Sequence, residues 1–180
     1  MDLNNYMADV ELNRIGRLSL VKATVDHAEQ IADKLRLLDR RECMIHKLSP
    51  LEALTEPFAC DGALNYSLKL DNDCIAMCGT VPIEPNYGRV WLLGTGAINQ
   101  NFRTFLRGCK YVRDLLQGDY YQIENLVPAE HHETIMWLTW CGFTFEDEPY
   151  YIDDTPMIRF VRCVKQKSNV YYFNQRPVVH

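Results

Sequence analysis

The chain has 180 residues, with 47% hydrophobic and 24% charged side chains and a net charge of -5. This length is typical of one domain, and the composition supplies enough apolar material for one core while excluding a disordered or collagen-like chain. Broad, non-specific nucleic-acid binding requires a basic surface, so the acidic balance argues against direct nucleic-acid binding.

The cysteines predict a reducing compartment. There are seven, an odd number, with no CxxC pair, and most lie within apolar runs. Cys74 and Cys78 are four residues apart on a predicted strand and would share a face, but no second pair follows, so no metal site is predicted. The acidic N-terminus does not resemble a signal peptide, and no apolar run approaches the roughly 20 residues of a membrane helix. We expect a protein that is not secreted and has no membrane segment.

The first half of the chain predicts a strand, two helices and a hairpin. Residues 1–16 are expected to form an arm or a short helix, and residues 17–23 a first strand. Apolar residues at three- and four-residue spacing after Thr24 predict a helix that fades in the charged run 39–42. Ser49 and Glu52 form a capping box for a second helix. Alternation over residues 64–70, a turn over 71–73 and an apolar run over 74–81 predict the hairpin.

The second half predicts a loop over residues 82–88 and a buried strand over 89–94. The strongest helical pattern covers residues 99–117, followed by a strand over 120–127 and a helix over 128–140. A strand begins at Phe143, an acidic and aromatic turn covers 147–154, and a final strand covers 157–164. Residues 165–180 form a C-terminal extension, either an extra strand or a tail that docks on a partner.

This order of elements resembles that of GNAT-type N-acyltransferases over residues 18–164. The run 137–143 is similar to the GNAT junction at which a helix closes on a glycine and an aromatic residue opens the next strand. The resemblance implies an α/β (α+β) fold, with a mixed, mostly antiparallel sheet of about six to seven strands and about four helices. The predicted organisation is an arm (1–16), a GNAT-like domain (17–164) and an extension (165–180).

A narrower resemblance is to the internal virion protein A family of short-tailed phages. It rests on a basic helix start over residues 101–107, the tyrosine-rich strand that follows, and a helix that ends in Cys141-Gly142-Phe143. This resemblance implies a role in virion assembly or DNA delivery, with other virion proteins as partners. The protein would be made in the host cytoplasm and carried in the virion.

The cofactor loop is the first place where the sequence departs from an acetyl-CoA-binding GNAT enzyme. That family has the pattern Gln/Arg-x-x-Gly-x-Gly/Ala, and backbone N–H groups at the helix start hold the pyrophosphate. Here two glycines fall early, at the strand end, and the interpretation of a plain turn stays open. The candidate cofactor-binding residues are Gly94, Gly96, Asn99 and Asn101.

The acid–base residues are altered as well. Aligned on Gly142-Phe143, the family's thiolate-protonating tyrosine corresponds to Leu138, and its helix-start asparagine to His131. The remaining catalytic candidates are His131, as an acid or base near neutral pH, and Glu124, as a general base for an amine. For both residues the favoured interpretation is a solvated surface group. Aromatic residues near the C-terminal end predict a protein interface: Tyr150, Tyr151, Tyr171, Tyr172 and Phe173.

Three hypotheses follow. The first is a non-catalytic GNAT-like phage protein that works through protein contacts and needs no cofactor. The second is an active N-acetyltransferase that uses acetyl-CoA through a divergent loop and loses binding when Gly96 is enlarged. The third is a phage inhibitor of a host protein. Fold alone does not choose among them, because function depends on the site and not on the scaffold.

Overall fold

The computed structural model describes residues 11–164. The strands are β1 (Glu11–Ile15), β2 (Leu18–Lys22), β3 (Leu64–Leu70), β4 (Asp73–Glu84), β5 (Tyr87–Gly94), β6 (Gln122–Pro128), β7 (Thr144–Phe145), β8 (Tyr150–Ile152) and β9 (Thr155–Cys163). The helices are α1 (Val25–Ala32), α2 (Leu37–Ile45), α3 (Pro50–Thr55), α4 (Ala97–Gln100), α5 (Phe102–Gln117) and α6 (His132–Trp140), with a 3-10 helix at Glu56–Ala59.

All of the described strands form one sheet. Its order is β1-β2-β3-β4-β5-β6-β9-β7, with β8 also paired to β9. Every pairing is antiparallel except that of β5 with β6, which is parallel. The predicted mixed, mostly antiparallel sheet flanked by helices is therefore confirmed. Among the described residues there are nine strands and six helices, compared with the predicted six to seven strands and about four helices. The difference arises because short elements carry no clear sequence signal.

The sheet separates two helical layers, and alternation along its strands assigns each side chain to one of them. Val90 and Ile123 pack with α5 and α6, in a cluster that includes Leu138. Trp91 and Leu93, one residue out of phase with Val90, pack with α1 and α3 on the opposite face. Helices α5 and α6 therefore cover one side of β5, and the N-terminal helices cover the other. No helix among the described residues is both long and apolar enough to span a bilayer.

Two helix starts have the predicted caps. The Ser49 hydroxyl accepts from the Glu52 backbone N–H at 3.2 Å, and the Glu52 carboxylate accepts from the Ser49 N–H at 2.8 Å. Thr24 caps α1 by accepting from the His27 N–H, while the His27 ring accepts from the Thr24 N–H. These pairs satisfy N–H groups that a helix start leaves without partners.

The predicted first helix is in fact two helices. Helix α1 ends at Ala32, and the charged run 39–42, expected to end a helix, lies inside α2. Between them the chain turns to the end of β5, where Leu35 bridges Thr95 and the Arg36 N–H donates to the Gly94 carbonyl at 2.9 Å. This long-range pairing interrupts a continuous helical pattern, and local periodicity does not report it.

Three further expectations differ from the structure. Part of the predicted arm, Glu11–Ile15, is strand β1. The acidic turn over residues 147–154 contains strand β8, which forms a hairpin with β9. The pairing of β3 with β4 shifts between Leu68 and Lys69, so Cys74 packs with α1 whereas Cys78 packs with α5. The prediction that Cys74 and Cys78 share a face was wrong, because the irregularity inverts the alternation.

Candidate functional site

The parallel strands β5 and β6 separate at their C-terminal ends. They pair only over the first three residues of the contact, from Tyr87↔Gln122 to Arg89↔Glu124. Beyond that point the side-chain amide of Asn125 donates to the Val90 carbonyl at 2.8 Å. The polypeptide leaves both strands at this end, so the helix starts that follow β5 and β6 lie beside the gap. Ligands of open α/β sheets bind at such carboxyl ends.

A cavity of about 930 Å³ occupies this gap. It lies between the sheet and helices α5 and α6, and it reaches α2 on the other face. Its volume is within the range of small-molecule sites. The apolar wall includes Phe105, Leu106, Trp137 and Leu138, whereas the α2 end carries Arg36, Asp39, Glu42 and His131. One end of the cavity is therefore apolar and the other is charged.

Asp39 ties α2 to the end of β5. Its carboxylate accepts two bonds from the Arg36 guanidinium, at 2.9 and 3.0 Å, and one from the Gly94 N–H at 2.7 Å. Only 5% of Asp39 is exposed. A buried carboxylate requires such partners, so this arrangement is a fixed part of the cavity wall.

Glu42 lies one helical turn after Asp39, on the same side of α2, and also lines the cavity. Burial and the negative charge of Asp39, opposed by the positive charge of Arg36, together raise the pKa of Glu42 to about 7. A carboxyl group with this pKa changes protonation near neutral pH, as a general acid or base must.

His131 faces the same end of the cavity from the start of α6. It is buried, at 6% exposed, and occupies the N-cap position without a side-chain capping bond. Burial lowers the pKa of His131, although the carboxylates of Glu130 and Asp39 act in the opposite direction. The imidazole is therefore neutral at pH 7 and can donate or accept one hydrogen bond.

Several solved structures of acetyltransferases are similar to this chain in fold. The ribosomal-protein-S18-alanine N-acetyltransferase from Escherichia coli has a TM-score of 0.63 at 11% identity, covering 87% of this chain and 99% of that chain. The ribosomal-protein-S5-alanine acetyltransferase from Vibrio fischeri has a TM-score of 0.61 at 14% identity, and the match covers 86% of this chain and 97% of that chain. The chain has the GNAT fold. The spermidine N-acetyltransferase from Vibrio cholerae, solved with CoA and spermine, has a TM-score of 0.58 at 14% identity, and the match covers 82% of this chain and 95% of that chain.

These similarities extend to the fold alone. No protein-family model matches this sequence, and no curated protein matches it. The site must therefore be judged from its own residues.

The loop after β5 contains the short helix α4. Helix α4 adds a turn between the strand and α5, and five consecutive N–H groups, from Ala97 to Asn101, donate to acceptors within residues 95–98. A phosphate cradle needs N–H groups that point outward without partners. An anion bound at α4 would have to displace these hydrogen bonds.

The structure places the four cofactor candidates in different surroundings. A Cβ on Gly94 would lie 2.2 Å from the Ile98 side chain, so Gly94 makes room for α4 and not for a ligand. The side-chain amide of Asn101 donates to the Ala97 carbonyl at 3.0 Å. Gly96 and Asn99 are exposed, and only Asn99 of the four lines the cavity. The structure does not assemble them into one site.

Glu124 lies apart from the cavity. Its carboxylate pairs with the Arg159 guanidinium and accepts from the Gln122 side chain at 2.5 Å. Arg159 also pairs with Glu146, whose carboxylate accepts from the Tyr150 hydroxyl at 2.8 Å. Glu124 is thus held in a charged network, and the structure does not bring it together with His131.

At the position that aligns with the thiolate-protonating tyrosine of GNAT enzymes, this chain has a buried leucine. Leu138 is 5% exposed and packs in the core under α6. Next to it, the Trp137 ring lies 5.7 Å from the Phe105 ring, and its indole N–H donates to the Cys109 sulfur at 3.3 Å. Leu138, Trp137, Phe105 and Cys109 all line the cavity.

Sequence analysis missed the charged end of the cavity. Asp39 and Glu42 belong to the charged run 39–42 in which the predicted first helix fades, and Arg36 lies just before that run. Their spacing of three residues places them on one helix face, next to apolar positions of the same helix. That pattern indicates a buried charged face of the helix. It does not indicate that the Gly94 N–H is the buried partner of Asp39.

Two of the predicted interface residues are described. Tyr150 is 46% exposed and Tyr151 is 68% exposed, both on the short edge strand β8. Tyr171, Tyr172 and Phe173 lie outside the described residues. Among residues 11–164, no group of three or more His, Cys, Asp and Glu side chains is arranged to hold a metal ion.

Proposed function

We propose that this chain is a non-catalytic protein with the GNAT fold that acts through contacts with other proteins, in the assembly or DNA delivery of a phage particle. The observation that carries the proposal is the loop after β5, whose N–H groups from Ala97 to Asn101 are bonded within their own turn. An enzyme that holds CoA by its pyrophosphate would need these groups free.

A second support comes from the exposed apolar surface. Tyr151, Leu37 and Met44 are each more than 60% exposed, at 68%, 65% and 73%. Large exposed apolar side chains in a folded protein mark contact surfaces when they occur together. Tyr150 adjoins Tyr151 on β8, and Leu37 and Met44 lie two helical turns apart on α2. The assignment of this protein to a phage particle rests on the sequence resemblance alone.

The first test is calorimetric titration of the full chain with acetyl-CoA and with CoA. We expect no heat of binding at ligand concentrations up to about 1 mM, which corresponds to a binding free energy weaker than about 4 kcal/mol. The spermidine N-acetyltransferase from Vibrio cholerae, whose structure holds CoA, is the positive control.

The matched variant is Gly96→Leu. A Cβ at Gly96 meets no atom within 4 Å, so we expect the variant to fold and to change the surface of the loop. Micromolar binding by the natural chain, together with its loss in Gly96→Leu, would contradict the proposal and establish a divergent cofactor loop.

The second test concerns the partner. A photo-crosslinking residue at Tyr151 is expected to capture one protein of the particle, and Tyr151→Ala should weaken that complex by about 2 kcal/mol, or roughly 30-fold, if the ring is a hot spot. The same replacement at Tyr111, which is 43% exposed on α5, is the control. Equal capture from both positions would count against β8 as the contact surface. A host protein captured only at Tyr151 would favour the inhibitor hypothesis.

One observation favours acyl transfer as a second function. Glu42 faces the cavity with a pKa raised to about 7 by burial and by Asp39, and it is suited to accept a proton from an amine. This function would require a donor that does not depend on the α4 loop. The titration separates the two candidates, because only the second predicts that a thioester binds.

A further inference from the structure

Helix α2 has a basic and apolar face on the outside of the protein. Leu37 and Met44 lie two helical turns apart on one side of the helix, and both are exposed, at 65% and 73%. Arg40 and Arg41 are exposed between them and flank the line that joins them, one on each side. These four residues, named here the α2 face, are therefore apolar along the centre and positively charged at the sides.

The hairpin of β8 and β9 has an acidic and aromatic surface. Tyr150 and Tyr151 are 46% and 68% exposed on β8. Four exposed acidic side chains lie in the loop before β8 and in the turn after it: Asp147, Glu148, Asp153 and Asp154. Asp153 pairs with Lys47, and within residues 11–164 no basic side chain pairs with the other three acids. Residues 147–154 are named here the acidic hairpin.

The two surfaces adjoin each other at one end of the sheet. The Lys47 ammonium, two residues after the end of α2, lies 3.6 Å from the Asp153 carboxylate in the turn of the acidic hairpin. Tyr150 pairs with Met157, which pairs on its other side with Pro128 at the end of β6. The acidic hairpin therefore lies at the C-terminal end of β6, next to the end of α2. A positive and a negative half together form one part of the protein surface.

The two halves do not neutralise each other within one chain. The Arg40 guanidinium donates to the backbone carbonyls of Leu35 and Asp33, and Arg41 makes no ion pair with another described residue. Unpaired charges of opposite sign attract a complementary surface and steer its approach. Exposed tyrosine and methionine side chains are typical of the contact surfaces that such charges border.

We propose that the α2 face of one copy of this chain binds the acidic hairpin of a second copy, in a dimer with twofold symmetry. Every contact in such a dimer occurs twice, so a second copy supplies the complement of both halves at once. A twofold axis beside Lys47 and Asp153 sets the arginines of each copy against the carboxylates of the other. The inference rests on the proposed function, because it names the partner that the exposed residues of α2 and β8 contact.

The first measurement is sedimentation equilibrium of the full chain at low ionic strength, from about 1 to 100 µM. We expect the mass of two chains, and a dissociation constant that rises with salt because salt screens the charges of the two surfaces. The mass of one chain at every concentration would overturn the proposal. A mass that grows beyond two chains would also overturn it, because a head-to-tail contact does not close as a twofold dimer does.

Charge reversals identify the two surfaces. Arg41→Glu sets like charges against the acidic hairpin of the second copy, and Asp154→Lys sets like charges against its α2 face. Each should raise the dissociation constant by roughly 100-fold. The double variant should regain the dimer, and an equimolar mixture of the two single variants should form a mixed dimer, because opposite charges then meet again. Lys22→Glu and Asp61→Lys, at exposed positions outside both surfaces, are the matched controls and should dimerise as the natural chain does.

The outcomes separate the dimer from misfolding and from other contacts. A dimer that neither reversal weakens would lie on another surface and would overturn the proposal. If a reversal does not fold, as circular dichroism would show, Tyr151→Ala provides the second measurement, with an expected loss of roughly 30-fold. A single chain that captures a different protein at Tyr151 would overturn this inference and leave the proposed function standing. Binding of CoA would contradict the proposed function and leave the mass of the dimer unchanged as a test.

Discussion

Replacement of Asp39 by alanine is expected to lower the free energy of unfolding by about 3–5 kcal/mol, the range measured when one partner of a buried ion pair is removed. The variant leaves the Arg36 guanidinium without its carboxylate and the Gly94 N–H without its acceptor at 2.7 Å. It also removes one of the links between the start of α2 and the end of β5, where the Arg36 N–H still donates to the Gly94 carbonyl. Urea denaturation at neutral pH measures the loss.

Two comparisons separate the ion pair from a general effect of removing an acid. Asp61→Ala, at an exposed position before β3, should change stability by less than about 0.5 kcal/mol. The double variant with Arg36→Ala should lose less than the sum of the two single variants, because neither charge then remains buried alone. A loss for Asp39→Ala no larger than that for Asp61→Ala would mean that Asp39 is hydrated in solution.

Elements that depend on neighbouring residues could be predicted from the sequence. Ser49 and Glu52 cap each other across three residues, so the start of α3 needs no distant partner. The turn between β3 and β4 could also be predicted from its own residues, where Asp71 has a φ of 55°. Asp tolerates this left-handed conformation better than most residues. Alternation over Leu64–Leu70 then assigned the strand.

Elements that depend on distant residues could not be predicted. The end of α1 is set by Leu35 and Thr95, which are 60 positions apart, and nothing near Leu35 signals the pairing. The shift opposite Lys69 inverts the faces of β4, and β8 exists only because β9 supplies its hydrogen bonds. In each case the tertiary contact overrides the local pattern.

The candidate site follows the same division. His131 could be nominated from the sequence because its chemistry is carried by one residue type near a helix start. Glu124 could be nominated for its charge, but its partner Arg159 lies 35 residues further along the chain. Glu42 was overlooked, because its raised pKa comes from burial in a cavity that forms only when α2 meets the sheet.

Glu42→Gln is expected to change how stability depends on pH. The ordinary pKa of a glutamate is 4.5, and that of Glu42 in the folded protein is about 7. The folded chain therefore binds this proton more tightly, and its contribution to stability is complete below about pH 4.5 and lost as pH rises to about 7. At ~1.4 kcal/mol per pH unit, the contribution is about 3 kcal/mol.

The measurement is the free energy of unfolding of both proteins between about pH 4.5 and pH 8. The natural chain should lose about 3 kcal/mol more than Glu42→Gln over this interval, since all other groups titrate in both. For Glu29→Gln, at an exposed position of α1, the free energy of unfolding should change with pH in parallel with that of the natural chain. Parallel curves for Glu42→Gln would mean that Glu42 ionises as it does in water. The acyl-transfer alternative would then lose its proposed base, and the cavity would be left to His131 and its apolar wall.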